Sequence, residues 1–285
     1  MLLLTELDDW RRFAHEQRAL GLRVGLVPTM GPLHAGHVSL FRAAKQRGDV
    51  VLASIFVNPR QFTNRGDLDV YPSTPDADAV LAEASGVDCL VRPSLDAMWP
   101  AYPGATATTV SVHGIGDVLE GAQRPGHFDG VASVVAKLFT LTGACRAYFG
   151  EKDFQQIAVV RQMVSDLAFD VEVVGCPIVR DDDGLALSSR NVLLDGPGRS
   201  RALALSRALR LVQSTPGCAS EVRATMRAVM DEARLDVAYA EVVDPVTFAP
   251  CGDDEVGERR ALVAAVVNGV RLIDNAPVTL VRGEG

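Results

Sequence analysis

Long apolar runs are missing from this 285-residue chain. No stretch approaches the roughly 18 consecutive apolar residues that a membrane-spanning helix requires, so no membrane partner is expected. Cysteine is scarce: Cys89, Cys145, Cys176, Cys218 and Cys251 are odd in number, far apart and without a CxxC pair. That pattern argues against a disulfide framework and a zinc site, and reads as buried thiols in a reducing compartment. Positive charge is in deficit, with 28 lysines and arginines against 36 aspartates and glutamates and a net charge of -8. Nucleic-acid binding runs on phosphate neutralisation, so no nucleic-acid partner is expected, although a small anion can still find a basic pocket on an acidic protein. The opening "MLLLTELDDW" lacks a basic leader and turns acidic at once, which is not a signal peptide. The expected location is cytoplasmic.

What is present is enough apolar material, 48% of the residues, for a well-buried fold without staples. The length favours two domains over one. Through the first two thirds, "LRVGLVPT", "DVVLASIFVN", "VDCLVRP", "RAYFG" and "VEVVGCP" read as strands apolar on both faces. Between them "GHVSLFRAAKQRG", "DADAVLAEASG", "DGVASVVAKLFTLTG" and "DFQQIAVVRQMVSDLA" carry helical spacing. Strands apolar on both sides that alternate with helices predict a doubly wound, Rossmann-like α/β domain with a parallel sheet, over residues 1–178. After Pro177 come a polar segment rich in turn formers, two amphipathic helices and two strand-like runs, "VAYAEVVDP" and "RRALVAAVVNGVRLIDN". These predict a smaller α+β domain over residues 179–285.

The chain has only five histidines, and two of them fall in "VPTMGPLHAGHVSL". In a doubly wound sheet the first strand-to-helix turn is the preferred phosphate cradle. Gly31 and Gly36 let backbone approach a ligand, and a helix starting near His37 offers free amides and a positive dipole end. Residues three apart on the first turn share a side, so His34 and His37 can face one phosphate group and stabilise charge growing on it. Histidines that merely cap and pack a helix start would look the same, and no third ligand at a recognisable spacing supports a metal pair.

Four further stretches sit near element junctions. "FGEKDFQQ" offers Lys152 as a compact cation, with Asp153 beside it and Gln156 one turn on, or else a plain capped helix start. "LALSSRN" offers the hydroxyls of Ser188 and Ser189 and the Arg190 guanidinium, a set that clamps a polyphosphate or simply forms a polar linker. "SIFVNPRQF" places Asn58 and Gln61 where a strand leaves the sheet, as neutral amides that can read hydroxyls and carboxylates. "EGAQRPGHFDGV" brings Arg124 and His127 in a glycine-rich loop. Asp76 and Asp78 read as helix caps, with waters of a Mg²⁺ ion near Asp78 as the other reading.

Together, "PTMGPLHAGH", "FVNPRQF", "RPGHFDGV", "FGEKDFQQ" and "LSSRN" resemble the pantothenate synthetase (pantoate-beta-alanine ligase) family over essentially the full length. The HxGH element is shared with the wider nucleotidyltransferase superfamily; the other four belong to this family. The resemblance implies an ATP-dependent ligase. Pantoate would attack the α-phosphorus of MgATP to give pantoyl adenylate and pyrophosphate, and β-alanine would then attack the mixed anhydride and release AMP. It implies an ATP site of Pro28, Thr29, Met30, Gly31, Pro32, Leu33, His34, Ala35, Gly36 and His37, joined by Gly150, Glu151, Lys152 and Asp153 and by Val179, Leu187, Ser188, Ser189 and Arg190. In that pattern His37 is the catalytic proton donor, and His34, Lys152 and Arg190 are its partners at the phosphates. Gln61, Gln156, Asn58 and Arg124 would serve pantoate and β-alanine. A homodimer is also implied.

Some positions depart from the family pattern. Leu187 stands where methionine is common, Phe154 replaces a common tyrosine, and Ala77 sits where an acidic residue is frequent, which weakens direct Mg²⁺ contact there. Two rivals share features: another HxGH-type adenylyl- or cytidylyltransferase, which has no need of the paired glutamines, and a catalytically silent nucleotide-binding paralogue. Paralogues of that kind usually lose charged site residues, whereas His34, His37, Lys152 and Arg190 are all present.

Overall fold

Strands and helices alternate from the first residues of the computed structural model, which describes residues 1–283. In chain order they are β1 (Leu2–Leu4), α1 (Leu7–Ala19), β2 (Val24–Thr29), α2 (Ala35–Gln46) and β3 (Val50–Ile55). Next come α3 (Arg65–Asp69), α4 (Pro75–Ala84), β4 (Cys89–Val91), α5 (Leu95–Met98), α6 (Glu120–Gln123) and α7 (His127–Thr142). Then follow β5 (Cys145–Gly150), α8 (Phe154–Asp166), β6 (Val171–Cys176), α9 (Gly196–Ser214), α10 (Ala219–Glu232), β7 (Asp236–Val243), β8 (Gly257–Val267) and β9 (Val270–Leu280). They form two compact units, Met1–Glu151 with Gln155–Pro177, and Lys152–Phe154 with the chain from Ile178 onward.

The first unit is a six-stranded, all-parallel sheet in the order β1-β4-β3-β2-β5-β6. Side chains alternate across a strand, and here both faces are covered. Val24 and Leu26 of β2, Leu52 of β3 and Ala147 and Phe149 of β5 pack with α1, α7 and α8. Val27, Val51, Ala53 and Tyr148 pack with α2 and α4 on the other face. Apolar residues on both faces are therefore a burial requirement, and the doubly wound expectation is met. Helix α7 is buried along most of its circumference, twelve of its 16 residues lying inside. β1 and α1, absent from the expectations above, extend the sheet at its edge through the register Leu2–Leu4 against Cys89–Val91.

The order reverses between β2 and β5: β3 and β4 continue to one side of β2, β5 and β6 to the other. That reversal opens a crevice beyond the carboxyl ends of the two strands, the position at which such sheets bind ligands.

In the second unit α9 and α10 cover one face of the antiparallel sheet β7-β8-β9 through Ala261, Val263, Ala265 and Val267 of β8 and Leu272, Ala276 and Val278 of β9. The long apolar run from Arg259 to Asn275 is two strands rather than one, because the chain reverses at Asn268 and Gly269, whose φ angles are +52° and +80°. An Asn-Gly pair with both residues left-handed suits a two-residue hairpin turn. All five cysteines are buried and free. Burial raises the Cys89 and Cys145 thiols to about 12 and those of Cys176 and Cys251 to about 11. The burial of all five matches the buried thiols read from the sequence.

Candidate active site

The turn after β2 places the two histidines. His34 is the N-cap of α2, in extended backbone geometry, and its Nδ1 accepts from the Gly36 N–H at 3.1 Å. His37 Nδ1 accepts from the His34 N–H at 3.2 Å, and the two rings lie 4.1 Å apart, centroid to centroid. The helix therefore begins two residues earlier than expected, and the imidazoles satisfy orphan amides that a serine or aspartate would otherwise cap. An Nδ1 that accepts carries no hydrogen, so in the neutral ring the hydrogen is on Nε2. Both histidines are then held as Nε2–H donors.

The backbone between strand and helix is pinned from below. Asp78 is 3% exposed, and its Oδ1 accepts from the Leu33 N–H at 2.7 Å and the Thr74 hydroxyl at 3.1 Å. Tyr71 donates to the Gly31 carbonyl at 2.8 Å. Gly31 has φ +66°, and a Cβ there would stand 2.7 Å from Asp78 Oδ2. These contacts correct the reading of Asp78: α4 has Thr74 at its N-cap, and the carboxylate braces the Gly31–Leu33 loop. Among the described residues no group of three or more His, Cys, Asp or Glu is placed to hold a metal ion.

Beyond β3, residues Asn58 to Gln61 form a tight turn against α7. Asn58 is 1% exposed, and its Nδ2 donates both hydrogens, to Gln61 Oε1 and to the Gly130 carbonyl, each at 3.0 Å. Its Oδ1 accepts from Trp99 Nε1 at 2.9 Å. With its amide engaged in these contacts, Asn58 supports Gln61. Gln61 is left with its Oε1 facing Asn58 and its Nε2 toward Met30 Sδ at 3.1 Å, so the turns after β2 and β3 meet here. His127 Nδ1 lies 2.8 Å from the Gln61 carbonyl and Arg124 Nη2 3.4 Å from it, while Arg124 Nη1 is 3.2 Å from His127 Nε2. Arg124 thus secures the Gln61 backbone. Trp99 and Gly130 complete this arrangement and were not singled out from the sequence. The Trp99 indole lacks a spacing signature, and the glycine, on α7, matters only through the Asn58–Gln61 turn packed against it.

Gln156 lies half-buried on the first turn of α8. Its neighbour Gln155 is 4% exposed and binds the Glu120 N–H and the carbonyls of Ile115 and Val118. Gly150 ends β5 at the topological switch, and Glu151 opens the short 3-10 helix Glu151–Asp153 that follows.

The remaining expected residues belong to the second unit. Arg180 pairs with Ala186, and the Leu187 N–H donates to the Val179 carbonyl at 3.0 Å, so the polar segment is a small hairpin. Its acidic turn is held by Arg199, 2.6 Å from Asp181 and 2.8 Å from Asp183. Ser188 then caps a short 3-10 helix from Ser189 to Leu193, its hydroxyl accepting from the Arg190 N–H. Lys152, Ser188, Asn191 and Asp274 line one small cavity. Of the expected phosphate residues, the structure therefore brings Lys152 and Ser188 together, with Asp153 next in the chain.

A doubly wound sheet that carries His-x-Gly-His on its β2–α2 turn, the second strand-to-helix turn rather than the expected first, and at the topological switch, is an α/β protein built to bind a ligand at that turn. The family model described as pantoate-beta-alanine ligase matches residues 2–277, and the chain belongs to that family and is a ligase. Pantothenate synthetase of Cereibacter sphaeroides is 48% identical over 283 residues, 97% of this chain and 96% of that protein. The enzyme of the same name from Paenarthrobacter aurescens is 48% identical over 272 residues, covering 89% and 92% of the two chains. The crystal structure of pantothenate synthetase from Thermus thermophilus superposes with a TM-score of 0.88 at 43% identity, over 97% of this chain and 99% of that one. Pantoate-beta-alanine ligase from Francisella tularensis, solved in complex with beta-gamma ATP and beta-alanine, gives 0.80 at 31% identity over 97% of each chain.

Proposed function

We propose that this enzyme condenses pantoate with β-alanine to form pantothenate at the expense of ATP, through a pantoyl-adenylate intermediate. The observation that carries the proposal is the pair of pinned imidazoles at the mouth of a doubly wound sheet, 4.1 Å apart and both held as Nε2–H donors. Such donors stabilise charge that grows on an α-phosphate without having to reorganise during the step. The chemistry needs activation first, because a carboxylate oxygen is a poor leaving group and AMP a good one. A pantoate oxygen bonds to the α-phosphorus as the bond to pyrophosphate breaks; the β-alanine amine then bonds to the carbonyl carbon and AMP departs with the electron pair.

Met30 to His37, with Pro28 and Thr29 before them, would hold the nucleotide. Gln61 and Gln156 would orient pantoate, and Lys152, Ser188, Ser189 and Arg190 would contact phosphate oxygens. Mg²⁺ enters as part of the MgATP substrate, and Asp78 is given a supporting role. The beta-gamma ATP and beta-alanine bound by the Francisella relative support this use of substrates. Cytoplasmic location and a homodimer belong to the same proposal; no helix among the described residues is long and apolar enough to cross a membrane.

The test is AMP formation with ATP, pantoate and β-alanine, omitting each in turn. Dependence on all three is expected, and turnover with unrelated carboxylates but none with pantoate would overturn the assignment. His37→Ala should leave the fold intact and slow pyrophosphate formation about a hundredfold or more.

A further inference from the structure

Three residues in the middle of the chain, Lys152 to Phe154, group with the second unit although their neighbours on both sides belong to the first. Asn275 of β9 is 2% exposed and donates from Nδ2 to the Lys152 carbonyl at 2.9 Å. Its Oδ1 accepts from Arg260 Nε of β8 at 2.8 Å. In the β8–β9 register Arg260 stands opposite Pro277, two residues beyond Asn275, so the two side chains share a face as a diagonal pair. The Arg260 guanidinium, 9% exposed, lies over the Phe154 ring at 4.0 Å from its centroid, and Phe248 closes the other contact at 5.8 Å.

An asparagine amide has two orientations, one presenting oxygen and one presenting hydrogen to a given neighbour. A guanidinium only donates, so Arg260 forces the Asn275 oxygen toward itself and the NH₂ toward Lys152. The backbone of Asn275 is fixed too, since its N–H donates at 2.8 Å to Asp274, which is 4% exposed and salt-bridged to Arg180 at 2.6 Å. Two buried polar residues on neighbouring strands, Arg260 of β8 and Asn275 of β9, thus serve one carbonyl, and the next residue but one, Phe154, is held by cation–π contact. What this clamping fixes is the backbone from which the Lys152 side chain springs.

We propose that Asn275, oriented by Arg260, is a positioning residue for Lys152: it fixes the lysine backbone so that the ammonium is presented to the transferring phosphates in one place. The proposal rests on the phosphate role given to Lys152 above. The charge on a lysine is a point at the end of a flexible stem, so its reach is set largely by where its backbone is clamped.

The experiment is a double-mutant cycle in the full chain that reads pantoate-dependent pyrophosphate formation and the thermal melt. Asn275→Asp is nearly isosteric and keeps an acceptor for Arg260, but it faces an oxygen toward the Lys152 carbonyl. It should melt within a few degrees of the wild type and lower the rate about tenfold, within the range that a sub-ångström to 1 Å misplacement of a positioned group costs. In a Lys152→Ala background the same substitution should change the rate less than about twofold. An equal loss in both backgrounds, or no loss in either, overturns the proposal and leaves the role of Lys152 standing. A wild-type rate for Lys152→Ala would overturn that role and this proposal with it. Arg260→Met frees the amide to turn while keeping an apolar contact with Phe154, and it should show a smaller loss that likewise vanishes without Lys152. Should Asn275→Asp not fold, that second cycle decides on the same terms.

Discussion

Gly130→Ala is the substitution on which sterics and helix propensity disagree in sign. Gly130 lies within α7, where alanine is intrinsically favoured over glycine by about 0.5–1 kcal/mol. Were nothing close by, the variant would be more stable than the parent. A Cβ at this position, however, would stand 2.2 Å from the Arg60 carbonyl oxygen, 2.4 Å from its carbon and 2.7 Å from the Gln61 Cα. All three are backbone atoms, so no rotamer change relieves the contact. Reaching an ordinary van der Waals separation needs a shift of about 1 Å between α7 and the Asn58–Gln61 turn, and overpacking of this kind costs about 1–3 kcal/mol. The net expectation is a destabilised protein. The same shift breaks the Asn58 bond to the Gly130 carbonyl and carries Gln61 out of register with Met30. Misplacing a binding group by that distance costs up to about a hundredfold in rate. Thermal melts together with pantoate-dependent pyrophosphate release, read as KM and kcat, provide the assay. A variant that melts higher than wild type with unchanged kinetics would refute the packing argument and the importance of this turn.

Further outcomes are expected elsewhere. Trp99→Phe keeps an aromatic ring but removes the donor to Asn58 Oδ1, and should raise the pantoate KM several-fold while lowering the unfolding free energy by about 1 kcal/mol in urea titration. Tyr148→Phe removes the hydroxyl that donates at 2.5 Å to Asp49, a carboxylate whose side chain is fully buried and also held by Arg146. Urea titration should show a loss of about 1–3 kcal/mol with little change in kinetics. The buried thiols predict the alkaline limb of stability. Their folded values, about 11 to 12, lie above the ordinary thiol value, so the unfolded chain loses these protons first as pH rises. By linkage stability is unaffected below about pH 8 and falls from about pH 9 to 11, by roughly 1 kcal/mol per thiol per unit. Urea midpoints that stay flat across that range would contradict it. A thiol reagent should leave the native protein unlabelled at pH 8 and reach all five cysteines in denaturant.

How far the sequence could be read follows from how each residue is buried. β2, β3 and β5 announce themselves because Val24, Leu26 and Val27 alternate between two covered faces, and α2 and α7 because their apolar spacing runs for three turns or more. β1 escaped because three leucines are too few to show a period, and Leu2 and Leu3 are exposed at a sheet edge. The β8–β9 hairpin escaped because apolar residues resume immediately after a two-residue turn, although Asn268-Gly269 is itself the signal. Polar groups were the least legible. Gln155 and Gln156 are identical in type and adjacent, yet one is buried and bound to the Ile115–Glu120 segment while the other sits half-exposed. Asn58 and Gln61 read as two equivalent amides until the Trp99 indole shows that one holds the other. Asp49, Arg260 and Asn275 find partners about a hundred or more residues away along the chain, or across a hairpin, and no local pattern encodes such pairings.

The membership of Lys152–Phe154 in the second unit has a bearing on protein engineering. The polypeptide changes unit after Glu151, after Phe154 and again after Pro177. A gene fragment starting at Ile178 would therefore encode β7 to β9 without the phenylalanine that covers Arg260 and contacts Phe248. It would expose a guanidinium and an aromatic ring on what should be an interior surface, and would be expected to express poorly. Swapping that half between related ligases calls for transplanting the tripeptide along with it.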